Sequence, residues 1–333
     1  MIIAFYINTT TQIPHILPVL KEAVAHKHGC VVFVDRIFGD NKIKKIVENI
    51  PHYLVHNLLS YKTLLDKIKP DFTIYADSGV ELKTKQAGYK TAQIFHGISQ
   101  KSHTRLRLDY IQTKDECSDL IFFAGEIWKS KFLKHRPETA ERVHVVGYTK
   151  FDDIPKRDDS FGQTILYAPT WDPEHSSVAH IGNRVGELIS CGPMHYNILV
   201  KLHGLLMDSE WPDYYRNNKY TQFIEDNNIL KSIVQCDVMI SDYSSCMFEA
   251  LALGKPVIAF TNPDLKPVPN DVGWDWRDLF YEVRSFYEIR ELLAWSWPLG
   301  LKPQTKALMS RLIGPIGGAS SRILNIMENY END

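Results

Sequence analysis

The sequence predicts an α/β protein built of two doubly wound domains that face each other across a cleft. Three observations carry this expectation. Short apolar runs of buried-strand type alternate with helical segments along nearly the whole chain, the pattern of a parallel sheet with helices on both faces. At 333 residues the chain is long enough for two separate cores. The alternation lapses once, between Gly147 and Thr164, where Asp152, Asp153, Pro155, Lys156, Arg157, Asp158 and Asp159 make a polar, proline-containing bridge. The expected division is a first domain over 1–150, a second over 151–305, and a C-terminal helix over 306–333 that packs back on the first.

Taken in order, Ile2–Ile7 reads as the first buried strand, followed by a turn at Asn8–Thr11 and a helix from about Ile13 to Ala25. Pro14 suits the first helical turn, whereas Pro18 weighs against the helix interior. Val31–Val34 is a strand, Lys42–Ile50 is helical, Tyr53–Val55 is a weak strand and Leu58–Ile68 is helical. Phe72–Tyr75 ends in Ala76-Asp77-Ser78-Gly79, Thr91–Phe95 ends in His96-Gly97, and Leu120–Phe123 and Val143–Val146 complete the first set of strands. In the second half, Ile165–Tyr167 ends in Ala168-Pro169-Thr170-Trp171, a helix lies near Val185–Ser190, and Asn197–Lys201 ends in Leu202-His203-Gly204. Tyr220–Ile224 is a weak strand and Ile229–Gln235 a helix. The stretch from Cys236 to Phe260 is one βαβ unit: an apolar strand, the polar turn Ser241–Ser245, a helix whose apolar residues recur at helical spacing until Gly254 stops it, and a second strand over Val257–Phe260. Tyr281–Val283, a helix at Tyr287–Trp295 and a long final helix over Lys306–Glu328 follow.

Composition narrows the function classes. A net charge of -2 gives no global attraction to nucleic acid or anionic lipid. Lys129, Lys131, Lys134, His135 and Arg136 form one candidate for a local basic patch on a helix, with a solvated helix face as the plainer and favoured alternative. Five scattered cysteines without C-x-x-C spacing suggest neither a disulfide framework nor a zinc ribbon, and fit a reducing cytoplasm. No uninterrupted apolar segment is long enough to cross a bilayer, and Ile2–Ile7 is too short for a signal peptide. H-E-x-x-H, Walker A, G-x-G-x-x-G and G-x-S-x-G are all missing, which disfavours nucleoside-triphosphate hydrolysis, NAD chemistry and an α/β-hydrolase.

The candidate chemistry lies in polar turns that follow strands, because open α/β sheets bind ligands at the carboxyl ends of their strands. Thr170-Trp171, His203-Gly204 and Ser241–Ser245 would line one rim of the second domain, and His96-Gly97 the rim of the first. The turn before the βαβ helix aims free N–H groups at a phosphate site, with Ser244 and Ser245 adding hydroxyl donors and Tyr243 able to hydrogen-bond or stack. The same serines would also serve simply as helix caps. His96 is the candidate general base, since an imidazole titrates near neutral pH; a passive loop residue is the plainer alternative. His203 is expected to donate to a phosphate oxygen with Lys201 beside it, as strand alternation puts both on one side. Thr170 offers a hydroxyl and Trp171 a pocket wall. His26 and His28 sit at a helix end, where a cation complements the dipole. His135 and His144 show no metal-ligand spacing, and His175 and His180 are lesser candidates for substrate contact.

Leu166-Tyr167-Ala168-Pro169-Thr170-Trp171, then Lys201-Leu202-His203, then Ser241-Asp242-Tyr243-Ser244-Ser245 with Phe248-Glu249 and Lys255-Pro256, resemble the CDP-glycerol glycerophosphotransferase family, which builds teichoic acids and related polymers. The resemblance implies the GT-B fold, two Rossmann-like domains with a cleft. It implies His96 as base and His203 with Ser244 and Ser245 at the donor diphosphate; the expected donor set also includes Thr170, Lys201, Asp242 and Tyr243, with Trp171 as a pocket wall or a core-edge aromatic and Glu249, on the helix past Ser245, reaching donor hydroxyls or serving a structural role. This chain carries Phe95 where the family usually has tryptophan, Ile98-Ser99 where it has Thr-Pro, and Asp172 where an arginine is frequent. The expected activity is transfer of glycerol phosphate, or another polyol phosphate, from a CDP-activated donor to a saccharide, polymer or lipid-linked hydroxyl acceptor in cell-surface polymer biosynthesis, with release of CMP. No cofactor, metal or nucleic acid is expected. The expected location is cytoplasmic, with room for peripheral contact at the inner face of the membrane. Alternatives are a GT-B glycosyltransferase using a nucleotide-sugar and a non-catalytic nucleotide-binding domain.

Overall fold

Strand β1 (Ile2–Ile7) shows how one sequence pattern makes a two-faced sheet. Ile3, Phe5 and Ile7 enter one core, while Ala4 and Tyr6 enter another on the opposite face. Six more strands join it: β2 (Gly29–Asp35), β3 (His52–Val55), β4 (Phe72–Ala76), β5 (Lys90–Ile94), β6 (Leu120–Phe123) and β7 (Val143–Val145). They pair in parallel in the order β3-β2-β1-β4-β5-β6-β7. The second sheet contains β8 (Thr164–Ala168), β9 (Asn197–Val200), β10 (Gln222–Phe223), β11 (Val238–Ser241), β12 (Val257–Phe260) and β13 (Tyr281–Val283), parallel in the order β10-β9-β8-β11-β12-β13. Each order runs outward from its first strand and then jumps to the other side of it, which is the doubly wound topology with a switch point between β1 and β4 and another between β8 and β11.

This computed structural model describes residues 1–35, 50–76, 81–95, 118–158, 163–191, 195–226, 228–261 and 276–332. The helices among them are α1 (Ile13–Ala25), α2 (Leu58–Ile68), α3 (Glu81–Gln86), α4 (Glu126–His135), α5 (Val178–Ile181), α6 (Trp211–Asn217), α7 (Ile229–Gln235), α8 (Cys246–Ala252), α9 (Trp276–Leu279), α10 (Phe286–Trp295), α11 (Pro303–Ile313) and α12 (Ala319–Asn332). The chain divides into two compact units, Met1–Asp153 with Ser310–Asp333, and Ile154–Met309.

In the first unit α1 runs through Pro18, because burial of Ile16, Val19, Leu20 and Ala23 outweighs the one lost backbone hydrogen bond. Ile323, Leu324 and Met327 of α12 join the same core as α1. The carboxylate of Asp152 caps α12 by accepting from the amides of Ala319 and Ser320 at 2.8 and 2.7 Å. The indole of Trp128 donates to the Leu312 carbonyl at 3.0 Å, and Arg322 Nε donates to the Val146 carbonyl at 2.8 Å.

Several sequence expectations are corrected. The long final helix over Lys306–Glu328 is two helices, broken where Gly314, Gly317 and Gly318 adopt φ of +63°, +80° and +69°. The segment near Val185–Ser190 is a 3-10 helix, Gly182–Ser190, and not an α-helix. The strand expected to reach Lys201 ends at Val200. The helix expected at Lys42–Ile50 falls outside the described residues, apart from Ile50.

Candidate functional site

The second unit gathers its polar turns at one sheet edge because β9, β8 and β11 are adjacent and parallel. The turns after β8 and β11 flank the switch point, and one buried carboxylate stitches them together. Asp242 Oδ1 accepts from the Thr170 amide at 2.7 Å, and Oδ2 accepts from the amide and the hydroxyl of Ser177, both at 2.7 Å. Burial pushes the Asp242 carboxyl up to about 6, against the hydrogen bonds from Ser177, Thr170 and Tyr243 that favour its anion. It is therefore ionised at neutral pH, where every partner is a donor. The stitch continues outward: Ser176 Oγ donates to the Thr170 carbonyl at 2.7 Å, Ser241 Oγ to the Ala168 carbonyl at 2.5 Å, and Tyr167 Oη lies 3.0 Å from Ser177 Oγ.

The two serines of the turn keep their protons for other work. Helix α8 begins at Cys246 with Ser245 at the N-cap, and the Ser245 hydroxyl makes no capping bond. Burial pushes the Cys246 thiol up to about 12, so it stays neutral and donates to Ser244 Oγ at 3.0 Å. Ser244 thus accepts from the thiol and has its own O–H left to donate. Tyr243, Ser244 and Ser245 are half-buried, whereas Glu249 is buried inside α8. Gly254, at φ +76°, ends the turn that follows α8.

His203 sits just beyond β9. Its Nδ1 accepts from the Leu205 amide at 3.2 Å, which leaves the proton of the neutral ring on Nε2 as a donor. Trp171 is 40% exposed with its ring 6.3 Å from that of His203, so the two form one wall. The Lys201 ammonium donates to the Leu202 carbonyl at 3.2 Å. Strand β9 ends at Val200, but the Lys201 amide still donates to the Tyr167 carbonyl at 3.0 Å, and Lys201 and His203 are half-buried on either side of the buried Leu202. His96 lies outside the described residues; Phe95, just before it, stacks on Phe123 with centroids 5.0 Å apart.

Sequence reading missed part of this cluster. Ser177 lies in a polar stretch of the sequence, and nothing in the chain order ties it to Asp242, 65 residues away. His175 packs on Tyr243 with centroids 4.7 Å apart, and its Nδ1 lies 3.0 Å from Asp172 Oδ2. Asp172, Glu174 and His175 bring ligand-type atoms within 4.8 Å of one another, as do His26, His28 and Glu328 in the first unit.

A model of the CDP-Glycerol:Poly(glycerophosphate) glycerophosphotransferase family matches residues 77–268. Among solved structures, the wall teichoic acid polymerase TagF is similar with a TM-score of 0.68 at 13% identity, over 99% of this chain and 89% of that one. UDP-GlcNAc 2-epimerase from Neisseria meningitidis, bound to UDP-GlcNAc, gives 0.63 at 16% identity over 99% and 100% of the two chains. The S. aureus MnaA–UDP co-structure gives 0.65 at 14% identity over 99% and 97%. At these identities the likeness speaks to the fold, which is of the GT-B class with two parallel-sheet Rossmann-like domains. No curated protein matches the chain in sequence. No helix among the described residues is long and apolar enough to cross a membrane.

Proposed function

The chain belongs to the CDP-glycerol:poly(glycerophosphate) glycerophosphotransferase family and is a transferase of that kind, and from this premise we propose that it moves glycerol phosphate, or another polyol phosphate, from a CDP-activated donor to a hydroxyl acceptor of a cell-surface polymer. The acceptor oxygen attacks the distal phosphorus of the donor. The bond from that phosphorus to the bridging oxygen breaks, CMP leaves, and the acceptor proton passes to a base. We assign the base to His96. The reaction asks mainly for positioning and charge stabilisation, since phosphoryl transfer needs little covalent help from protein.

The observation that carries the reading is the Asp242 stitch. It fixes the turns on both sides of the switch point while leaving the hydroxyl protons of Ser244 and Ser245 unspent. Together with His203 Nε2–H they supply donors for the charge that builds on the diphosphate. Trp171 walls the pocket, Thr170 and Tyr243 shape its floor, and Lys201 adds positive potential. Asp242 and Glu249, both buried, act by holding the turn and α8 in place. The acceptor is a saccharide, a growing polymer or a lipid-linked primer, and the enzyme works in the cytoplasm at the inner face of the membrane.

The test is nucleotide release from CDP-glycerol beside a panel of nucleotide-sugars. Release of CMP from CDP-glycerol, reduced by His96→Ala and His203→Ala, is the expected result. Turnover of a sugar nucleotide alone would assign the same fold to glycosyl transfer. Donor binding with no turnover, unaffected by His96→Ala, would make the protein a binding module.

A further inference from the structure

We propose that the first unit carries a zinc site built from His26, His28 and Glu328, which clips α12 to the end of α1. The cluster joins residues 300 positions apart in sequence. Glu328 Oε1 lies 2.8 Å from His28 Nε2 and 3.4 Å from His26 Nδ1. A tetrahedral zinc ion with bonds of about 2.0–2.1 Å holds its ligand atoms about 3.4 Å apart. The His26 separation already matches. The His28 separation opens by roughly half an ångström when the ion replaces the proton shared in that hydrogen bond. The His28 proton moves from Nε2 to Nδ1 through solvent, so both imidazoles bind as neutral rings with no net change in protons, and Glu328 binds as a carboxylate.

The backbone between the histidines is arranged to present both to one point. Helix α1 ends in a Schellman motif: the amide of His28 donates to the Ala23 carbonyl at 3.0 Å and that of Lys27 to the Val24 carbonyl at 2.9 Å. The left-handed position of this motif, usually glycine, is Lys27 at φ +63°. The reversal brings the imidazole centroids to 6.1 Å, over the same carboxylate.

The outer shell fits a metal as well. With Nδ1 of His26 facing Glu328, its Nε2 lies 3.6 Å from Glu22 Oε1. Glu22 is itself held by the hydroxyl of Ser321 on α12. At 3.6 Å the His26–Glu22 pair is an electrostatic contact and not a hydrogen bond; a carboxylate on that side of the ring would fix the tautomer of a zinc-bound histidine once it closes to hydrogen-bond distance. Two imidazoles and a carboxylate with water in the fourth position suit zinc, which has no geometric preference of its own beyond four ligands. Cys30 is not needed: its thiol faces the His28 carbonyl at 3.6 Å.

The test uses the full chain stripped with a chelator. Zinc titrated by calorimetry should bind at one ion per chain and raise the Tm. His28→Gln and Glu328→Gln should abolish both effects, and Glu22→Gln should weaken binding about tenfold. Cobalt loaded in place of zinc should give the visible bands of a tetrahedral N/O site without thiolate charge transfer, a readout that needs no variant to fold. Binding that survives His28→Gln and Glu328→Gln, cobalt bands with thiolate character, or no stoichiometric zinc in the unaltered protein would each overturn the proposal. CMP release from CDP-glycerol is not a readout here, so the outcome is independent of the proposed activity.

Discussion

The two switch points solve the same problem with different chemistry. In the first sheet Gln12 joins the residue after β1 to the last residue of β4: its side-chain oxygen accepts from the Asn8 amide at 3.0 Å and its side-chain nitrogen donates to the Ala76 carbonyl. In the second sheet Asp242 does the joining between the turns after β8 and β11. Both side chains are buried. A neutral amide gives and receives, so it can link an N–H to a C=O at no electrostatic cost. A carboxylate only receives, so every group around it must be a donor, and its burial is unfavourable unless all of them are in place. The contrast teaches where shape is enforced most strictly. The domain assigned to the donor spends a buried charge to hold its turns, whereas its counterpart uses an amide.

The largest test of this contrast is Asp242→Ala. It leaves the Thr170 and Ser177 amides buried without an acceptor, and should cost roughly 3 kcal/mol or more in urea unfolding. CMP release should fall about 100-fold or more as the donors lose their arrangement. Gln12→Ala breaks the neutral counterpart and should cost about 2 kcal/mol; Gln12→Glu should be worse, because an acceptor would then face the Ala76 carbonyl. A pH series sharpens the comparison. Asp242 holds its proton to about pH 6 when folded, against an ordinary value of 3.8, so the stability it contributes is greatest below about pH 4 and is lost as pH rises through 6. Between pH 5 and pH 7 the unaltered protein should therefore lose about 1 kcal/mol relative to Asp242→Asn, read as the difference in unfolding free energy. An equal loss in both proteins would show that Asp242 does not titrate in this range. The smallest effect expected among the substitutions is that of Ser177→Ala, about 1.5 kcal/mol, because it removes one hydroxyl donor from the carboxylate while the Ser177 and Thr170 amides still hold it.

Much of the fold could be read from residue order alone. Strands β1, β6, β11 and β12 are nearly continuous apolar runs, and continuous runs are the mark of strands covered on both faces. The βαβ unit around Ser241–Ser245 was legible because its turn is polar, its helix is periodic and Gly254 ends it. What escaped reading depends on distance in three dimensions. The partnership of Asp242 with Ser177 and that of His28 with Glu328 join residues far apart in the chain, and no local spacing encodes them. The break in the final helix was hidden because apolar residues keep helical spacing on both sides of Gly314–Gly318, so periodicity masked the turn. Strand β9 ends one residue short of the expected limit at Lys201, although the Lys201 amide still donates to the Tyr167 carbonyl of β8 at 3.0 Å.

The first unit is made from both ends of the described chain, Met1–Asp153 and Ser310–Asp333, with the second unit inserted between them. Biosynthetic order and assembly order therefore diverge. A ribosome completes all the strands of the first sheet long before it makes Leu312, whose carbonyl receives the Trp128 indole, or Ile323, Leu324 and Met327, which close the core over α1. Until then that core stands open, and the inserted unit is free to finish first. A nascent chain stopped at residue 309 would thus hold a complete second unit and an unfinished first one, the state most exposed to chaperones and proteases.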